Sequence, residues 1–491
     1  MPRILPHLWT LAEAGQDSGL RNGCVLLPVL IRAVIPTLRS VPGPFLARFS
    51  RLWYFIQVYR GRFPWSNIEL HRKYGAIVRI APNEYSIDDP TAVKTLYGPG
   101  TSFIKGPWYD GSHNIGDEKV GIFAVRDPKA HHTEKRKIAS LYSMSSVVKM
   151  EAAVNGCLEL LTEKLQEISR YGTSFRLKTL LGRRFGFLDA GKDPIDLVHA
   201  IDDVLTYAAR VGVYPELHYT FSKLRSISGP SGLSRATAFA ARQIQEYKTK
   251  LTSSDDLLKS DAMLPQLLRL HDQKPDVVSE GDIIRTCAMN VVAGSDTTSI
   301  SLTGILWALM KNPTAMTKLR AEVDELYESG NVSDPVSFAE AGRMPYLQAV
   351  IKEGIRLHPA TGLPLSRVVP KGGATIAGRY FPEGTVIGIN PWVAHHNKSV
   401  FGEDADEFRP ERWLVSAEEG QAMDRYWLPF GHGSRTCIGK NISLLEMSKL
   451  IPRIIRRFDF ELANPHMKLE TSNVWFVKQT NVQIRLRERK H

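Results

Sequence analysis

Cysteine is scarce in this chain of 491 residues: Cys24, Cys157, Cys287 and Cys437 are the only four, and they lie far apart. So few cannot staple a protein of this size. A disulfide framework is excluded, and a reducing compartment is implied, in which any special cysteine binds metal or is catalytic. Long apolar runs are lacking too. The one near the start, Cys24 to Ile35, is interrupted by Pro28 and Arg32 and falls short of the roughly 20 residues that span a bilayer. Met1 to Gly19 has no secretory order of basic start, apolar stretch and small-residue cleavage site. No repeat period and no low-complexity linker divides the chain. Acidic residues are in deficit, 51 against 63 Lys and Arg, giving a net charge of +12. That excess suits nucleic acid, an anionic membrane or an acidic partner. Its short runs, such as Lys135-Arg136-Lys137, carry no interleaved aromatics that would stack bases, which speaks against nucleic acid.

What is present is core material. With 43% apolar residues, 19 Phe, 16 Tyr and 9 Trp, the chain cannot be disordered. Its length is a soft prior for about three domains or one unusually large one. Residues 1–41 read as an appendage: Arg21, Arg32 and Arg39 flank apolar residues, as in an interfacial segment. Val41-Pro42-Gly43-Pro44 is a stiff boundary, and residues 42–491 continue as a single domain. Helical periodicity covers Arg51 to Tyr59, Trp65 to Tyr74, Ala130 to Tyr142, Val147 to Ser169, Pro194 to Arg210, Arg235 to Leu251, Asp261 to His271, Ser279 to Met310, Pro313 to Glu328 and Tyr346 to Leu357. Strand patterns are fewer: Ile77 to Ala81, Glu84 to Ile87, and Gly373 to Asn390 with its turn signals. The fold class is mainly α with small β-sheets, α+β.

The longest helix has a capping-box start at Ser279-Glu280-Gly281-Asp282 and a stop at Asn312-Pro313. It should run roughly 45 to 50 Å, and it is apolar on too many sides for a surface helix, so it should be central. Midway the pattern breaks into Ala293-Gly294-Ser295-Asp296-Thr297-Thr298. A glycine there costs about 1 kcal/mol, and an unpaired buried carboxylate costs more. Either a water-solvated kink or a functional demand explains it.

Near the carboxyl end stands Phe430-Gly431-His432-Gly433-Ser434-Arg435-Thr436-Cys437-Ile438-Gly439. Three glycines imply a backbone that approaches something closely or takes positive φ. Cys437 sits just before a helical pattern, where amides and dipole favour a thiolate. It reads as a metal ligand, a nucleophile with His432 as the only local base, or an inert core thiol. Zinc would need more Cys or His at short spacing.

This loop resembles the heme-binding signature of the cytochrome P-450 monooxygenases at Phe430, Gly433, Arg435, Cys437 and Gly439. Glu353-Gly354-Ile355-Arg356 resembles the family's Glu-x-x-Arg helix, Phe408-Arg409-Pro410-Glu411-Arg412-Trp413 its Pro-Glu-Arg segment, and Ala293 to Thr298 its oxygen-binding helix, all in the family's order. Within the family the chain looks most like fungal microsomal members of the pisatin demethylase group, through Arg184 to Asp189, Val211 to Pro215 and the texture of Met344 to Trp413.

The resemblance implies a fold whose long central helix crosses over a heme b, with Cys437 as the axial thiolate that favours O–O cleavage. Phe430, Gly431, Gly433 and Gly439 would shape the loop beneath the porphyrin. Arg435, Arg367 and a donor among His131, His132, Lys135 and Arg136 would face the heme propionates. Ala293 and Gly294 would leave room for oxygen. Asp296 and Thr297 would relay the protons that oxygen cleavage consumes. Glu353, Arg356 and Arg412 would form a buried structural clamp. Substrate contacts would come from Ile104 to Phe123, Val211 to Leu224, Met289 to Ala293, Thr361 to Leu365 and Trp475-Phe476.

The implied activity is insertion of one atom of dioxygen into a hydrophobic small molecule by hydroxylation, epoxidation or demethylation, in fungal secondary metabolism or detoxification. Electrons would come from NADPH through the NADPH-cytochrome P-450 reductase, with cytochrome b5 as a second donor. The protein would be a monomer at the cytosolic face of the endoplasmic reticulum membrane. Two features depart from the pattern: the broken amino-terminal segment, and a stretch between Ile168 and Arg183 too short for a full helix. Competing readings are a heme-thiolate isomerase or dehydratase, against which Asp296-Thr297 argues, and a non-catalytic heme-binding protein.

Overall fold

In a computed structural model the chain is described for residues 38–115, 119–171, 174–176, 196–227, 229–250 and 261–490. The amino-terminal segment through residue 37, the run Arg184 to Asp189 and most of the shortened stretch after Tyr171 therefore lie outside the described residues.

The capping box forms: Ser279 Oγ accepts from the Asp282 amide at 3.2 Å, and the Asp282 carboxylate accepts from the Ser279 amide at 3.0 Å. The helix it opens, Glu280–Lys311, runs 32 residues without a break, about 48 Å. Helical hydrogen bonding continues through Gly294 to Thr298. The cost read from the sequence is offset by pairing. Ser295 and Thr297 donate back to the carbonyls of Val291 and Ala293 at 2.7 and 2.8 Å, and the Asp296 carboxylate is ion-paired to Lys478.

Gly232–Lys250, Pro345–Leu357 and Lys440–Arg457 pack on this helix, which is buried along Ile283, Val291, Ile300, Ile305 and Leu309. Helix Pro345–Leu357 approaches closely because residue 354 is glycine; a Cβ there would lie 2.4 Å from Ile305 Cγ1. Two expected helices come out divided. Val147 to Ser169 becomes Met144–Lys149 and Glu151–Tyr171, and Ala130 to Tyr142 becomes Pro128–Ile138 followed by a 3₁₀ turn, Ala139–Tyr142. Apolar spacing persists across such one-residue breaks, so periodicity cannot see them.

Sheets are small, as expected. Five strands run in the order Ile77–Ala81, Glu84–Ile87, Val386–Gly388, Arg367–Val368, Ile104–Lys105, with only the second and third parallel. Gly373 to Asn390 resolves into a hairpin, Ala374–Ile376 with Arg379–Phe381, and then Val386–Gly388. A carboxyl-terminal hairpin, Thr471–Val474 with Phe476–Gln479, lies against the central helix. Among the described residues no helix is long and apolar enough to cross a membrane.

Candidate active site

The cysteine loop is shaped by its own backbone. Gly433 has φ +67°, and a Cβ there would fall 1.8 Å from the Tyr97 carbonyl, so no other residue fits. Gly431 also has positive φ, +69°, but an added Cβ there would make only ordinary contacts, 3.9 Å from the Arg435 carbonyl and 4.0 Å from Leu365 Cδ1. Cys437 is fixed by its amide, which donates to the Phe430 carbonyl at 2.9 Å. Lys135 donates to the carbonyls of Ser434 and Thr436 at 3.1 and 3.2 Å. Burial pushes the Cys437 pKa up, while the amides of Gly439 and Lys440 and the Lys135 ammonium oppose that shift. The helix that follows, Lys440–Arg457, starts at Gly439.

The loop lies against the central helix. Thr298 Oγ1 and Ser443 Oγ are 3.1 Å apart, and Ile438 lines a cavity of about 90 Å³ together with Ala288, Met289 and Phe123. In this neighbourhood Ala293, Gly294 and Cys437 are exposed although they belong to interior elements. A Cβ added to Gly294 would meet nothing within 4 Å.

Beside the loop is a crowd of cations. Arg367 and Lys105 are directly opposite on adjacent strands and are only 4% and 7% exposed. Like charges in that position repel. His131, also buried, has its pKa lowered to about 3 by desolvation and by Arg435, Lys105 and Lys135. Arg435 is lowered to about 10 by burial and Arg367, and Lys105 falls well below its ordinary value by burial, Arg367 and Arg435. Arg435 donates to the carbonyls of Val125 and Arg126 at 2.7 and 2.9 Å. Such an assembly favours a bound anion.

His131 and Lys135, four apart, share the inward face of helix Pro128–Ile138, whereas His132 and Arg136 are exposed. Arg136, expected among the cofactor contacts, instead borders a separate surface cleft with Lys137 and Lys274. One residue of register turns a helix by about 100°, which carries it to the outside. Lys105 was not singled out in the sequence. The available signal was a lone lysine within Phe103-Ile104-Lys105-Gly106.

The three clamp residues come together. Glu353 accepts a bidentate pair from Arg356 at 2.8 Å each, and bonds from Arg412 Nε at 3.2 Å, the Arg409 amide at 3.0 Å and Trp413 Nε1 at 2.9 Å. Burial alone would raise its pKa, but these partners hold it below the ordinary carboxylate range. His395 connects the clamp to the cysteine loop: Nδ1 donates to the Arg356 carbonyl at 2.9 Å and Nε2 accepts from the Leu428 amide at 2.7 Å.

His395 is held neutral by burial and Arg356, and His358 is lowered to about 4 by burial. A histidine whose folded pKa lies below its unfolded value of about 6.5 contributes stability above that value, which is lost as pH falls through the folded pKa. Urea denaturation should therefore show stability roughly flat from pH 8 to 7 and falling steeply between pH 6 and 4. His358→Gln should remove up to about 3 kcal/mol of that acid loss; an unchanged pH slope would refute this account.

The sequence model of the cytochrome P-450 family matches residues 42–485. The chain belongs to the cytochrome P-450 family. A pisatin demethylase of Fusarium vanettenii is 36% identical over 474 residues, covering 92% of this chain and 89% of the relative. A second from the same organism is 37% identical over 472 residues, covering 92% and 91%. A cytochrome P-450 monooxygenase of Emericella nidulans is 34% identical over 469 residues, covering 92% and 94%. The chain is thus an oxygen-incorporating oxidoreductase of the heme-thiolate monooxygenase class, and its mainly α architecture is the family's fold.

The residues fit a heme. The Cys437 thiol is free and exposed, and among the described residues no group of three or more His, Cys, Asp or Glu gathers to hold a bare metal ion. The facing cations Lys105 and Arg367, with Arg435, suit two carboxylates of one group.

Above the central helix, Trp475 takes a left-handed backbone, φ +74°, at the tip of the carboxyl-terminal hairpin and stacks on Trp108 with centroids 4.2 Å apart. Tyr109 and Phe123 complete an aromatic cluster. The loop from Ile104 and the hairpin turn, expected among the substrate contacts, thus meet.

Proposed function

We propose that this monooxygenase hydroxylates, epoxidises or demethylates a hydrophobic small molecule in fungal secondary metabolism or detoxification. The relatives named pisatin demethylase and the aromatic cluster of Trp108, Tyr109, Phe123 and Trp475 support that reading. Electrons come from NADPH through a flavin reductase, with cytochrome b5 as an alternative donor. Residues 42–491 act as one catalytic domain, and residues 1–41 hold it at the cytosolic face of the endoplasmic reticulum membrane.

The observation that carries the reading is the exposed thiol of Cys437 just before a helix that meets the central helix at Ser443 and Thr298, close to the exposed stretch Ala293-Gly294. When bound, the heme supplies the insertion of one oxygen atom into the substrate. Cys437 would hold the iron through its thiolate, and the amides of Gly439 and Lys440 favour that charged form. Lys105, Arg367, Arg435, His131 and Lys135 would hold the propionates. Phe430 shields the loop from water, while Gly431, Gly433 and Gly439 keep its backbone low. Arg136 takes no part. Glu353, Arg356 and Arg412 keep the loop's support rigid.

Asp296 brings protons from solvent, and Thr297 accepts one and donates its own into the cavity, leaving its resting bond to the Ala293 carbonyl. In a reconstituted system, Thr297→Ala should make peroxide the main product of NADPH oxidation. Unchanged coupling would remove Thr297 from the relay.

A further inference from the structure

Asp296 is not free in the resting protein. Its carboxylate, 10% exposed, is paired with the ammonium of Lys478, and the same ammonium is paired with Asp202. The three groups come from three elements: the central helix, the carboxyl-terminal hairpin and helix Leu197–Val211. Their exposure is graded. Lys478 is 7% exposed, while the Asp202 side chain is 44% exposed and meets solvent. Lys478 is held in place by its strand, whose next residue, Gln479, donates to the Ile300 carbonyl at 2.9 Å.

A buried lysine with a single acid partner would hold that acid fast, because letting go would strand the ammonium away from water. A second carboxylate at the solvent edge changes this. As Asp296 turns away, Asp202 keeps Lys478 paired, and water reaching Asp202 has a polar track inward. Burial lowers the Lys478 pKa, and the two carboxylates together raise it above its ordinary value.

We propose that Asp202 and Lys478 are positioning residues for Asp296: Lys478 parks the carboxylate away from Thr297, and Asp202 frees it by taking over the lysine. Protons therefore enter between helix Leu197–Val211 and the carboxyl-terminal hairpin. Because the elements that carry the two residues also carry substrate-facing loops, a substrate that shifts either element alters the release of Asp296. The inference rests on the reading that Asp296 and Thr297 deliver protons.

The test uses the full-length holoprotein with an NADPH-dependent flavin reductase, without added substrate, and measures peroxide released per NADPH and the solvent deuterium isotope effect. Asp202→Asn leaves Lys478 to Asp296 alone, so the peroxide fraction should rise by a factor of about five and the isotope effect should grow. Asp202→Glu should restore both, and the Asp202→Asn effect should vanish in an Asp296→Asn background. A second readout needs no turnover: in urea denaturation, Asp202→Asn should destabilise the wild type but not Lys478→Met. If Asp296→Asn raises peroxide and Asp202→Asn does not, the positioning role is overturned while the relay stands. If Asp296→Asn itself changes nothing, the relay falls, and the positioning role with it.

Discussion

Cys437→Ala, reduced and treated with carbon monoxide, is expected to lose the red-shifted thiolate Soret band completely and to lose all monooxygenase turnover. The expectation is absolute because the described residues offer no substitute. Cys157 is exposed on helix Glu151–Tyr171, and the Cys287 thiol is pushed up to about 11 by burial and so stays protonated. No second cluster of ligating side chains gathers near the loop. The variant should still fold. The loop is held by the Phe430 carbonyl, by Gly433 beneath the Tyr97 carbonyl and by Lys135 on two carbonyls, none of which uses the sulfur. Far-ultraviolet circular dichroism should thus be unchanged, and Cys287→Ala should keep the band. A red-shifted band in Cys437→Ala would remove the thiolate from the site.

Much of this was legible because each signal is local. The Ser279 and Asp282 cap is three residues long, and Glu353 and Arg356 share a helix face at i, i+3. The glycine spacing around Cys437 is likewise short-range. What escaped is held by distant pairing. Lys478 meets Asp296 and Asp202 across 182 and 276 residues, and nothing in a four-residue strand marks a lysine as buried. Lys105 becomes visible only when Arg367 is set opposite it. Register failed for a similar reason: His131 with Lys135 and His132 with Arg136 are equivalent spacings in one dimension, and only packing chooses the first. The acid at Asp296 is carried inside a continuous helix because it is paired with Lys478, which lies outside the helix that was being read.

The net charge of +12 also acquires a partial explanation. Lys105, Arg367, Arg435 and Lys135 converge, and burial first, then neighbouring cations, lower the proton affinity of Lys105, Arg435 and Lys135, an arrangement that spends stability until a dianion binds. Apoprotein should be less stable than holoprotein for this reason as well as for the space left open at Gly294.

Glu353→Gln is expected to be the most damaging substitution away from the cysteine loop, lowering stability by about 3 to 5 kcal/mol. Glutamine keeps the shape but removes the charge that two guanidiniums, each 0 to 2% exposed, are paired with. Against the 5 to 15 kcal/mol typical of a folded protein, that loss should leave little soluble holoprotein and a lower urea midpoint. Arg356→Lys should be nearly as severe. Arg356 uses its whole fork, two donors on Glu353 and others on the carbonyls of His395, Ala405 and Glu407, and a lysine offers three donors from one atom. Replacing a buried ion pair by apolar residues can be neutral elsewhere, but the double variant Glu353→Leu with Arg356→Met should not recover here. It would orphan those three carbonyls, the Arg409 amide and Trp413 Nε1. Because His395 bonds both the Arg356 carbonyl and the Leu428 amide, the damage should reach the cysteine loop. Thiolate signal should fall before helix content does on urea titration of Arg356→Lys, and simultaneous loss of the two would show that the clamp supports the whole fold rather than the loop.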